Sequence, residues 1–211
     1  MSKEFIAVVI VVVVGLFGLF TVTKKDNGAG PASNTPPTSH TVGAGTEGVT
    51  LVEYGDFQCP FCKDFYPLLK QVKNEYGNKI TFQFRNFPLN QSHPHAYQAA
   101  RAAEAAGLQG KFFEMHDLLY ENQDSWSGLS DVTNVFEGFA HQLDLDMEKY
   151  KSDVVSAEVG AAIDADIKEG QNIGVNSTPT FVLNGQKVEQ TPQSLDEFKE
   201  LINSKIDEIK N

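Results

Sequence analysis

Cys59 and Cys62 are the two cysteines of the chain, and only Pro60 and Phe61 separate them. A dithiol at that spacing can close a disulfide and reopen it. As a structural staple it would be weak, because so short a loop removes little entropy from the unfolded chain, worth roughly 2 kcal/mol. Its placement suits redox chemistry. The pair follows a strand-like run, Val49 to Tyr54, and opens a helix-like run, Phe61 to Tyr76. Backbone N–H groups at a helix start have no partner inside the helix and favour an anion. Pro60 fits the first turn, where its missing N–H is no loss. Cys59 is therefore expected to be the exposed, thiolate-prone sulfur, and Cys62 the more buried one. A free thiol, with a pKa of about 8.5, is only a few per cent ionised at neutral pH. Each unit of depression favours the thiolate by about 1.4 kcal/mol.

The competing chemistry is half a zinc site. Zinc needs four ligands, or three and a water, so histidines would have to complete it. His93 and His95 flank a proline in a loop-like stretch, while His116 and His141 stand singly in helical patterns. That spacing favours a redox dithiol over zinc, and no metal or organic cofactor is expected. The net charge of −11 argues against a nucleic-acid partner, which requires clustered Lys and Arg.

Elements to position the dithiol follow along the chain. Phe5 to Val22 is an unbroken apolar run, FIAVVIVVVVGLFGLFTV, near the lower length limit for a membrane-spanning helix. No clear A-x-A cleavage site follows, so residues 1–23 read as an uncleaved signal anchor, with a cleaved signal peptide left open. Lys3 on one side and Lys24 and Lys25 on the other leave the positive-inside rule close to silent. The domain is placed outside the cytosol because a disulfide site has work there, whereas cytosolic thiols are kept reduced. Residues 24–48, rich in Gly, Pro, Ser, Thr and Asn, read as a disordered linker spanning roughly 25–30 Å, with His40 solvated in it.

From Val49 the pattern is α/β. Val49 to Tyr54 and Ile80 to Phe87 alternate as strands around the Phe61 to Tyr76 helix, a parallel crossover unit. Helical spacing then dominates: His95–Ala106, Lys111–Asn122, Asp131–Leu143, Met147–Ser152 and Ala157–Gly170, with Asp146 and Ser156 as caps. Trp126 and the neighbouring Phe residues read as core, and the alanine faces as close helix contacts. Thr180–Leu183 and Gln186–Glu189 flank Asn184-Gly185, a hairpin signal. The last helix, Ser194 to Ile209, opens on a capping box formed by Ser194 and Glu197.

A C-x-x-C opening a helix after a first strand, with Thr178-Pro179 before a hairpin, resembles the thioredoxin fold. The helices inserted at about 93–173 narrow the resemblance to the DsbA-like family. The segments FQCPFCKDF, FRNFPL, HPHAYQAARAAEAAGLQGKFFEMHDLLYENQ and GVNSTPTFVLNG carry it, over about Val49 to Ile209. The expected architecture is thus a thioredoxin-like α/β domain, 49–211, with an α-helical insertion, behind a transmembrane helix and linker.

The resemblance implies an enzyme, a thiol–disulfide oxidoreductase. It makes Cys59 the nucleophile, Cys62 the resolving cysteine, and Pro179 the proline after a cis peptide bond beside the dithiol. It implies that Thr178 offers backbone groups to a bound peptide and that Glu53 is an acid buried beneath the dithiol, able to take the proton of Cys62. A strand residue facing solvent stays open for Glu53, and Asp56 reads as a loop residue. Phe57, Pro60 and Phe61 are expected to form a client-binding rim, with simple packing left open for either phenylalanine. Family members that are strong oxidants carry His where Phe61 stands; without it a weaker oxidant is expected. The implied partners are unfolded or reduced extracytoplasmic proteins and a quinone-coupled membrane reoxidant. No dimerisation segment precedes Val49, so a monomer is expected. Reductase or isomerase work by the same dithiol, or a peptide-binding module on this scaffold, stays open. Sequons at Asn90 and Asn176 read as incidental.

Overall fold

The computed structural model describes residues 35–211. The apolar run Phe5 to Val22 and the start of the expected linker lie outside the described residues. At the centre of the sheet is β2 (Val49–Gly55), whose β-branched and aromatic residues suit a buried strand. It runs parallel to β3 (Ile80–Asn86), and α1 (Pro60–Tyr76) makes the crossover. On its other side β2 pairs antiparallel with β4 (Thr180–Leu183), which pairs with β5 (Gln186–Lys187). With β1 (His40–Val42) at one edge, the sheet order is β1-β3-β2-β4-β5. Between β3 and β4 lie α2 (Ala96–Gly107), α3 (Phe112–Glu121), α4 (Gln123–Trp126), α5 (Thr133–Gln142), α6 (Met147–Val154) and α7 (Ala157–Asn172); α8 (Leu195–Lys210) ends the chain.

Strand register explains what faces the core. Leu51 pairs with Phe82 and Leu183, and Glu53 with Phe84 and Phe181. Leu51 and Glu53 share a face because side chains alternate along a strand. That face packs against Leu69 and Val72 of α1 and Phe198 and Ile202 of α8 in one hydrophobic cluster. The opposite face carries a smaller cluster of Tyr54, Phe87, Val175 and Val182. The Asn184-Gly185 turn has positive φ at both residues, 47° and 81°, as a two-residue hairpin requires. The Asn184 side chain also ties the turn to β2, accepting from Thr50 N at 2.6 Å and donating to Gly48 O at 3.1 Å. Asp146, Ser156 and Ser194 cap their helices. The Ser194 box closes one residue further out than expected, since Glu197 accepts from Gln193 N. Trp126 sits fully buried in the short helix α4, its indole donating to Leu119 O at 2.9 Å.

The linker expectation for 24–48 needs correction over its described part. His40–Val42 forms β1, antiparallel to β3 at the sheet edge. His40 is not simply solvated: its Nε2 lies 2.9 Å from Glu104 Oε1, and its ring stacks on Phe112 at 3.5 Å. Thr38 donates from both N and Oγ1 to the Asp166 carboxylate, at 2.7 Å each. The partners lie far along the chain, so local composition carried no sign of them. Asp166 also accepts from Arg85 Nη1 at 3.1 Å and from Asn86 N at 2.9 Å. One buried carboxylate thus joins the N-terminal segment, β3 and α7. Asp166→Ala should cost about 3 kcal/mol, since it strands the buried donors of Thr38 and Asn86 and leaves the half-buried Arg85 with Glu169 alone; urea unfolding measures the loss.

Candidate active site

The chain leaves β2 at Gly55, where a Cβ would meet the Phe84 ring at 2.4 Å and Tyr120 Oη at 3.0 Å. Glycine is therefore required at the strand end. Asp56 then organises the turn. Its Oδ1 accepts from Gln58 N at 2.7 Å, an Asx turn. Its Oδ2 accepts from Leu89 N at 2.8 Å and lies 2.7 Å from His93 Nδ1. Cys59 N donates to Asp56 O at 3.1 Å. Cys59 itself is the N-cap of α1, extended at φ −68° and ψ 123°, with Pro60 in the first turn. The two cysteines are free thiols. The Thr178-Pro179 peptide bond is cis, and the Cys59 thiol donates to Thr178 O at 3.4 Å.

The two sulfurs are driven in opposite directions. The Cys62 thiol donates to Cys59 and does most to lower its pKa, to about 6. The Thr178 hydroxyl and the amides of Cys62 and Phe61 push the same way, against burial. Cys62 is held well above the usual thiol range by burial, by the hydrogen bond it gives Cys59, and by the charge of Glu53. Glu53 is raised to about 8, first by burial and also by Cys59, with Lys73 opposing. Its Oε1 has no hydrogen-bond partner among the described groups, and neither has the Tyr120 hydroxyl; the Thr178 hydroxyl has none while Cys59 is a thiol donating to Thr178 O, and supports the sulfur only as it ionises. Lys73, half-buried over the Phe82 ring at 5.0 Å, is itself lowered by burial. At neutral pH the site holds a thiolate at Cys59, a thiol at Cys62 and a protonated Glu53. It can therefore exchange disulfides at one sulfur and move a proton at the other.

Two expectations for individual residues change. Cys59 is only 3% exposed rather than open to solvent, because the Thr178-Pro179 loop lies against it. Phe57 is 1% exposed and belongs to the core, packed on Phe84 and Tyr120 at 5.1 Å each; it is not part of a rim. Pro60 is exposed, and Phe61 is 66% exposed. Glu53 is 1% exposed, so the solvent-facing alternative falls away. Asp56 does lie in the loop, but buried and fully engaged. Of the candidate zinc ligands, His93 is taken by Asp56, while His95 Nε2 lies 2.7 Å from Leu129 O. Sequence reasoning missed Gln58 and Gln123, whose amides hold the dithiol loop. The Asp-x-Gln run before Cys59 signals the turn; nothing local signals Gln123.

A reactive dithiol at a helix start, beside a cis-proline loop and above a buried acid, defines a thiol–disulfide oxidoreductase with a DsbA-like fold. The chain belongs to the thioredoxin family: the Thioredoxin_4 family model, described as thioredoxin, matches residues 35–204. Among solved structures, a thioredoxin-like oxidoreductase from Silicibacter pomeroyi DSS-3 is 25% identical with a TM-score of 0.66, covering 79% of this chain and 91% of that one. Wolbachia pipientis alpha-DsbA1 shares the fold at a TM-score of 0.71 and 21% identity, covering 83% of this chain and 94% of that one. The Na(+)/H(+) antiporter NhaA 1 of Salinispora arenicola (strain CNS-205) is 38% identical over 152 residues, 72% of this chain and 22% of that protein. The chain spans less than a quarter of the length of the curated relatives it matches first.

Two outcomes follow from the electrostatics. The folded value of Glu53, about 8, exceeds its unfolded 4.5, so the native state holds a proton that the unfolded chain releases. Its contribution is full below about pH 4.5 and is lost as pH rises towards 8, at up to ~1.4 kcal/mol per pH unit. Glu53→Gln should remove the part of that slope lying below about pH 6, before Cys59 titrates, from urea unfolding of the reduced protein; an unchanged slope there would show that Glu53 is not the titrating group. Thiolate absorbance of the reduced protein should titrate near pH 6, and Thr178→Val should shift the midpoint upward by removing the hydroxyl.

Proposed function

We propose that the protein oxidises thiols in reduced or unfolded polypeptides outside the cytosol by donating the Cys59–Cys62 disulfide. The observation that carries this direction is the lowered pKa of Cys59. A stabilised thiolate favours the reduced dithiol and so makes the disulfide a better oxidant. A client thiolate attacks Sγ of Cys59, the Cys59–Cys62 bond breaks, and the electron pair leaves on Cys62. The high proton affinity of Cys62 draws a proton, which protonated Glu53 can supply. A second client thiolate attacks the client sulfur of the mixed disulfide. The client leaves oxidised, and Cys59 leaves as a thiolate. Client oxidation thus leaves the protein reduced, and a quinone-coupled membrane partner reoxidises it.

The apolar run Phe5 to Val22 supports membrane anchoring of a monomeric domain. Exposed Phe61 and Leu129, 66% and 43% accessible, support contact with apolar stretches of unfolded clients. The same two residues favour a second reading, a peptide-binding module in which exchange is incidental. Ion transport is no part of the proposal, because the match covers 22% of the antiporter chain.

Cys59→Ser should abolish disulfide transfer, whereas a pure binder would keep full activity. Cys62→Ala should accumulate mixed disulfides visible on a non-reducing gel. Equilibration with glutathione decides direction. We expect a potential on the oxidising side of about −200 mV, short of the strongest oxidants near about −120 mV. A value near about −250 mV would place the protein with the reducing thioredoxins and reverse the direction.

A further inference from the structure

Side-chain amides join the helical insertion and the dithiol loop from both sides. Gln58 reaches out of the loop: its Nε2 donates to Ser127 O at 2.8 Å, and its Oε1 accepts from His95 N at 2.7 Å. Gln123 of α4 reaches in: its Nε2 donates to Phe57 O at 2.8 Å and to Cys59 O at 3.0 Å. Both of these neighbours are acceptors, so the nitrogen end of the Gln123 amide must face them. Gln123 is buried, and water cannot readily replace it. Cys59 O has a second donor, Lys63 N at 3.2 Å. Phe57 O has none among the described residues. Without Gln123 that carbonyl would be left buried and unpaired, or the 57–59 turn would rotate to find a donor.

We propose that Gln123 is a positioning residue for the nucleophile. By binding the two carbonyls that bracket the turn, it keeps their negative ends off the Cys59 sulfur and aims the first amides of α1 at it. The helical insertion then takes a direct part in setting how readily Cys59 ionises. The inference rests on the oxidoreductase reading of the same dithiol and adds a residue outside the C-x-x-C and the cis-proline loop.

The test uses Gln123→Met in the full chain, which keeps length and removes the donor. Thiolate absorbance of the reduced protein is followed against pH, alongside thermal unfolding. The thiolate fraction at pH 6, near the midpoint of the unsubstituted protein, should fall about twofold to fivefold, an upward shift of half to one pH unit. Trp126→Phe is the control. It removes the bond from the same short helix to Leu119 O and should lower Tm without moving the titration. If Gln123→Met lowers Tm and leaves the midpoint in place, Gln123 is structural and the proposal is overturned. If Gln123→Met does not fold, Gln123→Asn, whose shorter amide cannot reach both carbonyls, is judged by the same shift. Should the unsubstituted protein transfer no disulfide to a client, the proposed function fails separately, because this test reads ionisation and not turnover.

Discussion

A thiolate at neutral pH needs hydrogen-bond donors facing it: here the Cys62 thiol first, and with it the amides of the first helical turn, whose hydrogens have no other use. The structure around Cys59 follows from that need. The helix must begin abruptly, so Pro60 occupies its first turn and Cys59 stays extended. An abrupt start after a strand needs a tight turn, which Asp56 builds with its own side chain. The turn needs β2 to end where no side chain can stand, hence Gly55 against Phe84 and Tyr120. Phe84 in turn is held by register beside Glu53. Few of these residues touch the sulfur, yet each limits where its donors can be.

Two buried carboxylates on β2 and α7 show how similar burial serves different ends. Asp166 is as buried as Glu53, but both of its oxygens accept from Thr38, and Arg85 and Asn86 complete its partners. It is a structural anion whose burial cost is offset by donors. Glu53 has an oxygen with no partner and rises to about 8. A buried polar group left unpaired costs free energy, so Glu53 lowers stability whenever it is ionised. Lys73 relieves the burial without cancelling it. The outcome is an acid whose proton affinity falls in the range where the dithiol works, as the proposed proton supply to Cys62 requires.

The core of the fold was legible because its signals are local. Alternation marked β2 and β3, Asn184-Gly185 marked the hairpin, and Asp146, Ser156 and Ser194 marked helix starts, each by its own chemistry. The phase of β2 also bore on Glu53: it stands in register with Val49 and Leu51, and its face is the buried one. Phe57 misled, since its side chain could equally turn out from the dithiol or in towards Phe84, and packing from α3 decides. β1 was hidden because three residues give no period and its anchors, Glu104 and Asp166, lie in the distant insertion. Gln123 was hidden for the same reason. Its partners are backbone carbonyls, which every residue has, so no residue type could announce the contact.

Phe61 gives the site a property that a charged neighbour could not. An imidazolium between the cysteines would aid the thiolate by charge, but an unperturbed imidazole loses its proton near pH 6.5, close to where Cys59 ionises. Its help would fade as the thiolate formed. Here the donors are the Cys62 thiol, the Thr178 hydroxyl and two amides. The hydroxyl and the amides carry no titrating proton in that range, and Cys62 is held too high to lose its own. Their fields also act over a short buried distance, where salt screens little. The ionisation of Cys59 is therefore tied to the geometry of the turn more than to the charge state of its neighbours. That places the burden on the residues that hold the turn, Asp56 from within the loop and the insertion from outside it.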